Sequence, residues 1–238
     1  MEMQEMIALG LLWYTAFLLS TTCHEAAHAL IAKWGGDLTA YAGGQVSLNP
    51  VPHIQREPFG MVMMPWLSFL LGGGSWMMGW ASAPYDPYWA RRHPRRSGWM
   101  ALGGPVANFI LVIVAGLVIQ AGLRSGTFLL PGSLSMSHLV EANGGVAAGF
   151  ATFFSILFSL NLLLGTFNLI PFPPLDGFAV LNIIVPESGA QKLMDLRDSL
   201  GPYMMLGLLV AWKVFDYLYT PIFSVALHIL YPGEVFGR

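Results

Sequence analysis

The stretch MIALGLLWYTAFLLSTTCHEAAHALIA, residues 6–32, decides how this chain is read. It is apolar and long enough to cross a bilayer as a helix, which takes about 20 residues. Near its C-terminal end it nevertheless carries His24-Glu25-Ala26-Ala27-His28. Residues four apart on a helix share a face about one turn apart, so both imidazoles reach a single metal ion. Glu25 lies beside them and reaches a water on that metal. Two neutral nitrogen ligands and a carboxylate base are what zinc-dependent hydrolysis requires. On a soluble helix the same pattern is often an ordinary charged face. At membrane depth ionisable side chains are expensive and turn toward a polar interior, a cavity or a partner. Three of them within five residues imply a shared purpose.

Composition agrees with a membrane setting. Of 238 residues, 55% are hydrophobic and 10% charged, with a mean hydropathy of +0.60, whereas soluble domains carry about a quarter charged residues. The net charge of −2 comes from few, scattered charges. No basic field exists to attract nucleic acid, and that class is excluded. The single cysteine, Cys23, excludes an intramolecular disulfide and a zinc site built on several thiolates. Cys23 reads as packing rather than as a ligand. Any metal is therefore held by His, Asp or Glu. The opening Met1-Glu2-Met3-Gln4-Glu5 lacks the basic region of a secretory signal, so the apolar run behind it is expected to be retained.

Hydropathy predicts an all-α, polytopic helical bundle forming a single membrane domain over residues 1–238, with a core at about 6–185. Membrane helices are expected over 6–32, 99–123, 146–169 and 203–219, and an amphipathic tail over 221–231. Residues 34–58 read as a small β-hairpin at the membrane surface, from Val46-Ser47-Leu48 and the turn residues Gly43-Gly44 and Asn49-Pro50. The apolar segment 59–80 is interrupted by Pro65 and Gly72-Gly73-Gly74. Arg91, Arg92, Arg95 and Arg96 belong on the cytoplasmic side, and Lys33 and Arg56 agree. Both ends of 59–80 then lie on one side, which predicts a re-entrant segment that doubles back at the triple glycine; the competing reading is an ordinary single span with a weak charge rule. The next two helices run outward and return, bringing Asp176 to the side of His24 and His28.

A catalytic zinc commonly takes three protein ligands and leaves one position open. The candidates for the third are Asp176, His53, His93, Glu57 and Asp86. Asp176 is preferred because it follows a proline-rich break, where unwound backbone needs a protein or water-lined environment. A carboxylate there without a partner is costly. The competing reading of Asp176 is a helix cap ahead of Gly177.

Three motifs carry a family resemblance: His24-Glu25-Ala26-Ala27-His28, Gly103-Gly104-Pro105-Val106-Ala107-Asn108, and Asn168-Leu169-Ile170-Pro171-Phe172-Pro173-Pro174-Leu175-Asp176-Gly177. In this order, in three hydrophobic helices, they resemble the site-2 protease family of intramembrane metalloproteases over about residues 6–185. The resemblance implies Zn2+ held by His24, His28 and Asp176, with Glu25 as base. It implies that Asn108 and Asn168 hold the substrate strand or the polarised carbonyl. It further implies transmembrane protein substrates met within membrane lipid, in the inner membrane of a prokaryotic cell with the site toward the cytoplasm. No stretch is long or polar enough for a PDZ domain or a CBS pair, so the chain is similar to the short branch. Val46–Ile54 and Arg92-His93-Pro94-Arg95-Arg96 are similar to that branch as well.

The chain departs from the branch after His53-Ile54, where Gln55-Arg56-Glu57-Pro58-Phe59-Gly60 replaces an Asp-Pro pair followed closely by Gly. His53 is therefore read as a histidine satisfied by backbone, ahead of a cleft-lining or ligand role. His93 reads as interfacial, and His138 and His228 are given no role. A strand in the 43–48 region is expected to pair with an unwound substrate. The Met- and Trp-rich 61–80 region reads as anchoring or packing ahead of gating. Two other functions compete: a metal-binding membrane protein without peptidase activity, such as a transporter or pseudoprotease, and a structural subunit. The first has no need of Glu25, and the second holds no stoichiometric zinc.

Overall fold

The computed structural model describes residues 2–232. Its helices are α1 (Met3–Gly35), α2 (Thr39–Ala42), α3 (Val51–Arg56), α4 (Met64–Leu71), α5 (Pro87–Arg92), α6 (Pro94–Arg124), α7 (Gly145–Asn168), α8 (Asp176–Ile184), α9 (Glu187–Ser199) and α10 (Met204–Leu230). Among them α1, α6, α7 and α10 are long and apolar enough to cross a membrane. Each overlaps one of the four expected spans. Their outward faces carry exposed Leu11, Ile113, Leu117, Leu209 and Val225, the surface a lipid solvent permits.

Local chemistry explains the limits of α1. Glu5 reaches back to the backbone N–H of Glu2 in a capping box, and Lys33 sits in the last turn, opposite in charge to the helix dipole there. The helix stops at Gly36, whose φ of 96° suits glycine, and Asp37 N–H returns to the Ala32 carbonyl. Trp89 Nε1–H and an Arg96 guanidinium N–H both donate to the Gly35 carbonyl at 3.0 Å.

The β-hairpin expected over 34–58 does not form, and no strand occurs among the described residues; two isolated bridges, Leu129 with Glu141 and Ser135 with His138, lie in the α6–α7 connection. Side chains claim the backbone donors that a ladder needs. The buried Asp37 carboxylate accepts from Thr39 N–H at 2.9 Å and from Asp86 N–H at 2.8 Å, which starts α2. Asn49 Oδ1 accepts from Val51 N–H, which starts α3, while Pro50 and Pro52 donate nothing. The region folds as helical turns, and no strand stands at 43–48 to pair with a substrate.

Segment 59–80 begins with a π-helical turn, Phe59–Met63, and continues as α4. The chain reverses at Gly72-Gly73-Gly74, where Gly73 and Gly74 take φ of 61° and 85°. The return leg is extended: Met78 N–H donates to Ser68 Oγ at 2.8 Å and Trp80 N–H to the Gly60 carbonyl at 3.1 Å. A Cβ on Gly79 would lie 2.2 Å from that carbonyl and 2.6 Å from Phe17. Only glycine fits the crossing.

α6 is the central helix, about 46 Å long at 1.5 Å per residue, and packs on α1, α7 and α8. Glycines set the approach. A Cβ at Gly103 would meet Ile31 at 2.6 Å on α1, and one at Gly98 would meet Ile183 at 2.8 Å on α8. Around them Trp13, Phe17, Ile119, Ile156 and Leu157 form the buried core. α7 breaks at Leu169, and the chain turns back so tightly that a Cβ on Gly177 would sit 2.2 Å from the Leu169 carbonyl. That fold-back aims Asp176 at α1.

The last helix also differs from expectation. No separate tail begins at Pro221, because α10 continues through it to Leu230. Stacked rings span the proline, with Phe215–Tyr219 at 4.9 Å and Tyr219–Phe223 at 5.5 Å. At the far end Gln120 Nε2 donates to the Ile229 and Leu230 carbonyls at 3.0 and 3.1 Å. These contacts offset the hydrogen bond that Pro221 removes.

Candidate metal centre

His24 and His28 project from one face of α1 toward α6 and α8, and their Nε2 atoms lie 2.9 Å apart. Asp176, at the start of α8, brings Oδ2 to 3.1 Å from His24 Nε2 and 3.3 Å from His28 Nε2. Both imidazoles and Glu25 are buried, while Asp176 is half-buried.

Proton positions follow from the other ring nitrogens. His28 Nδ1–H donates to the Met100 carbonyl at 2.7 Å, since a carbonyl only accepts. For His24 the assignment runs through two buried amides. Asn161 Nδ2 donates to the Leu157 carbonyl and to Ser20 Oγ, both at 2.8 Å, which turns Asn161 Oδ1 toward Asn108 Nδ2 at 2.8 Å. Asn108 then presents Oδ1 to His24 Nδ1 at 2.6 Å, and that nitrogen must carry the proton.

With Nδ1 committed to Asn108 and to the Met100 carbonyl, Nε2 is the nitrogen that each ring turns inward, against the Asp176 carboxylate. With both rings neutral these are three acceptors around one point, the donor set that binds a cation. Their separations of 2.9, 3.1 and 3.3 Å approach the ~3.3 Å edge of a tetrahedron with bonds of about 2.0 Å, the zinc–nitrogen length. Gly104 leaves room beside them: a Cβ there would stand 2.4 Å from Nε2 of both histidines. The donor set and the space fit a zinc ion.

Glu25 completes a group whose ligand atoms lie within 4.8 Å of those of His24 and His28. A cavity of about 190 Å³ adjoins Asp176, lined also by Met100, Ala101, Leu175, Tyr85 and Arg197.

Other sequence candidates lie elsewhere. Asn108 is fully buried with its oxygen turned to His24, behind the ligands rather than in the cavity. Asn168 ends α7, half-buried, outside the hydrogen bonds of the cluster. His53 donates from Nε2 to the Ser47 carbonyl at 3.1 Å. His93 joins α5 to α6 with its ring 6.3 Å from that of Trp89. Asp86 caps α5, and Glu57 accepts from Ser82 Oγ at 2.6 Å. Cys23 is a free, half-buried thiol. His138 hydrogen-bonds Ser137, and His228 donates to the Ser224 carbonyl.

Three contributors were not read from the sequence. Asn161 and Ser20 look like isolated polar residues in apolar helices, although a fully buried Asn at membrane depth is itself a signal. Gly104 was quoted in a motif without a role. Two adjacent glycines in mid-helix were the available clue.

The chain is 35% identical over 223 residues to the protein named "Putative zinc metalloprotease YwhC" of Bacillus subtilis (strain 168), covering 93% of this chain and 84% of that one. It is 27% identical over 176 residues to "Putative zinc metalloprotease Rip2" of Mycolicibacterium smegmatis (strain ATCC 700084 / mc(2)155), covering 74% of this chain and 58% of that one. No solved structure matches. Residues 13–212 match the description "Peptidase family M50", and the chain belongs to that family.

Proposed function

We propose that this chain is a zinc metalloprotease of the site-2 protease type, cutting peptide bonds within or near transmembrane segments of membrane-protein substrates. The observation that carries the reading is the convergence of His24 Nε2, His28 Nε2 and Asp176 Oδ2 to within 3.3 Å, with Glu25 alongside. The names of YwhC and Rip2 support zinc as the metal.

His24, His28 and Asp176 would hold the ion, which when bound acidifies water and polarises the scissile carbonyl. Glu25 takes a proton from the attacking water and passes it to the leaving amine. Asn108 orients His24 as a positioning residue, and Asn161 orients Asn108. Asn168, at the end of α7 ahead of the turn that carries Asp176, is assigned to the substrate strand. The cavity beside Asp176 admits water, which lipid cannot supply.

The site faces the cytoplasm of a prokaryotic cell. Arg91, Arg92, Arg95 and Arg96 ahead of α6, with Lys33 at the end of α1, support this orientation. Both ends of segment 59–80 are then cytoplasmic, and its reversal at the triple glycine makes it re-entrant. Regulated intramembrane proteolysis is the process this arrangement serves.

The test uses the purified full chain in neutral detergent with a synthetic single-span peptide. Glu25→Gln is expected to bind zinc one-to-one and to lose cleavage by about 10²–10⁴-fold. Unchanged cleavage in Glu25→Gln, or no bound zinc in the parent, overturns the reading.

A further inference from the structure

The cavity beside Asp176 contains a cation that the chemistry above does not use. Arg197, on α9, lines it together with Asp176 and Tyr85. Its guanidinium donates to the Tyr85 hydroxyl and lies 5.7 Å from the centre of that ring. Among the described residues it has no carboxylate partner.

Its neighbours show why. Asp195 and Asp198 flank Arg197 in sequence and are the acids nearest to it along the helix. Both are taken by Arg91 of α5, whose two terminal nitrogens contact Asp195 at 3.0 Å and Asp198 at 2.5 Å. Gln191 adds a bond from Nε2 to the Arg91 carbonyl at 2.8 Å. α9 is thereby fastened to α5 with its acids pointing away from the cavity and Arg197 pointing in. Among the described residues Asp176 is the one carboxylate lining the cavity, and it lies against both imidazoles.

A half-buried guanidinium facing a cavity with only a neutral hydroxyl beside it is a ready receptor for an anion. Its planar fork matches a carboxylate in two-point contact. We infer that Arg197, steadied by Tyr85, is a specificity-determining residue that binds a carboxylate of the substrate polypeptide a few residues from the scissile bond. Asp176 and Arg197 line one cavity of about 190 Å³, and an extended chain covers about 3.3 Å per residue, so a substrate strand lying at Asp176 passes Arg197 within a few residues. The carboxylate is either an acidic side chain or a chain terminus. This inference rests on the peptidase reading of the site.

Binding rather than cleavage tests it. The probes are fluorescein-labelled, amidated single-span peptides with one Asp or Asn placed in turn at each position following the span. A third set ends in a free carboxylate at the same positions. Each is titrated by fluorescence anisotropy into the zinc-loaded full chain carrying Glu25→Gln, in neutral detergent. At one or two positions the acidic probe is expected to bind about tenfold more tightly than its neutral twin, and the set showing the preference identifies side chain or terminus. Arg197→Gln abolishes the preference, Arg197→Glu transfers it to a Lys probe, and Tyr85→Phe weakens it.

Equal affinity of acidic and neutral probes at every position, or no binding of any probe, overturns the inference without any Arg197 variant having to fold. A preference that survives Arg197→Gln overturns it as well. Failure of the wild-type chain to cleave an acidic probe that it binds preferentially counts against the peptidase reading alone.

Discussion

Asn108 Oδ1 lies 2.6 Å from His24 Nδ1, at the end of a line of hydrogen bonds that crosses three helices. The line starts at the Leu157 carbonyl on α7, passes through Asn161 and Asn108 and ends on α1; Ser20, also on α1, braces Asn161. Every amide in it has one orientation that satisfies both neighbours, so a carbonyl on α7 sets which nitrogen of His24 turns toward His28 and Asp176. Partners of this kind orient ligands and tune their basicity.

Replacing Asn108 with Ala removes the acceptor and frees the ring of His24. Zinc affinity is expected to fall about 10–100-fold, measured by competition with a chromophoric chelator, with helical circular dichroism unchanged. Asn161→Ala, one bond farther away, is expected to weaken binding in the same direction by less.

Gly104→Ala places a methyl group 2.4 Å from both Nε2 atoms. The histidines cannot close around an ion beside it, so stoichiometric zinc is expected to disappear from the purified protein by elemental analysis. Gly149→Ala on α7, where a Cβ meets nothing within 4 Å, is expected to retain the metal.

Gly79→Ala tests the reversal of segment 59–80. Its Cβ overlaps the Gly60 carbonyl and Phe17, and overpacking of this kind costs about 1–3 kcal/mol. The variant is expected to melt at lower temperature, and protease digestion is expected to nick the 72–80 leg first.

Arg91→Ala releases Asp195 and Asp198. Exposed ion pairs contribute little to global stability, so the melting temperature is expected to stay nearly constant. Amide hydrogen exchange in α9 is expected to accelerate, and molar salt should reproduce part of that effect in the parent.

The β-hairpin and the separate C-terminal tail were misread for one physical reason. Val46-Ser47-Leu48 and Pro221 carry local signals that are sound by themselves. The outcome turned on partners far along the chain: Asp86, whose N–H binds Asp37 49 residues away, and Gln120, whose amide caps Ile229 from 109 residues away. Local propensity cannot weigh a bond to a residue it does not see.

The sequence by itself determined that this is a membrane protein with four spans and that His24, Glu25 and His28 cluster on one turn of α1. Those facts follow from hydropathy and from the helical repeat, both properties of neighbouring residues. The sequence also singled out Asp176 as the preferred third ligand, but only the tertiary structure decided the contact itself, 3.1 Å from His24 Nε2 across 152 residues, that Asn108 turns to His24 and away from the cavity, and that Arg197 has no acid partner among the described residues. Each of these depends on which surfaces the glycines of α6 and the fold-back at Gly177 allow to touch, and close approach between distant segments is written in no local pattern.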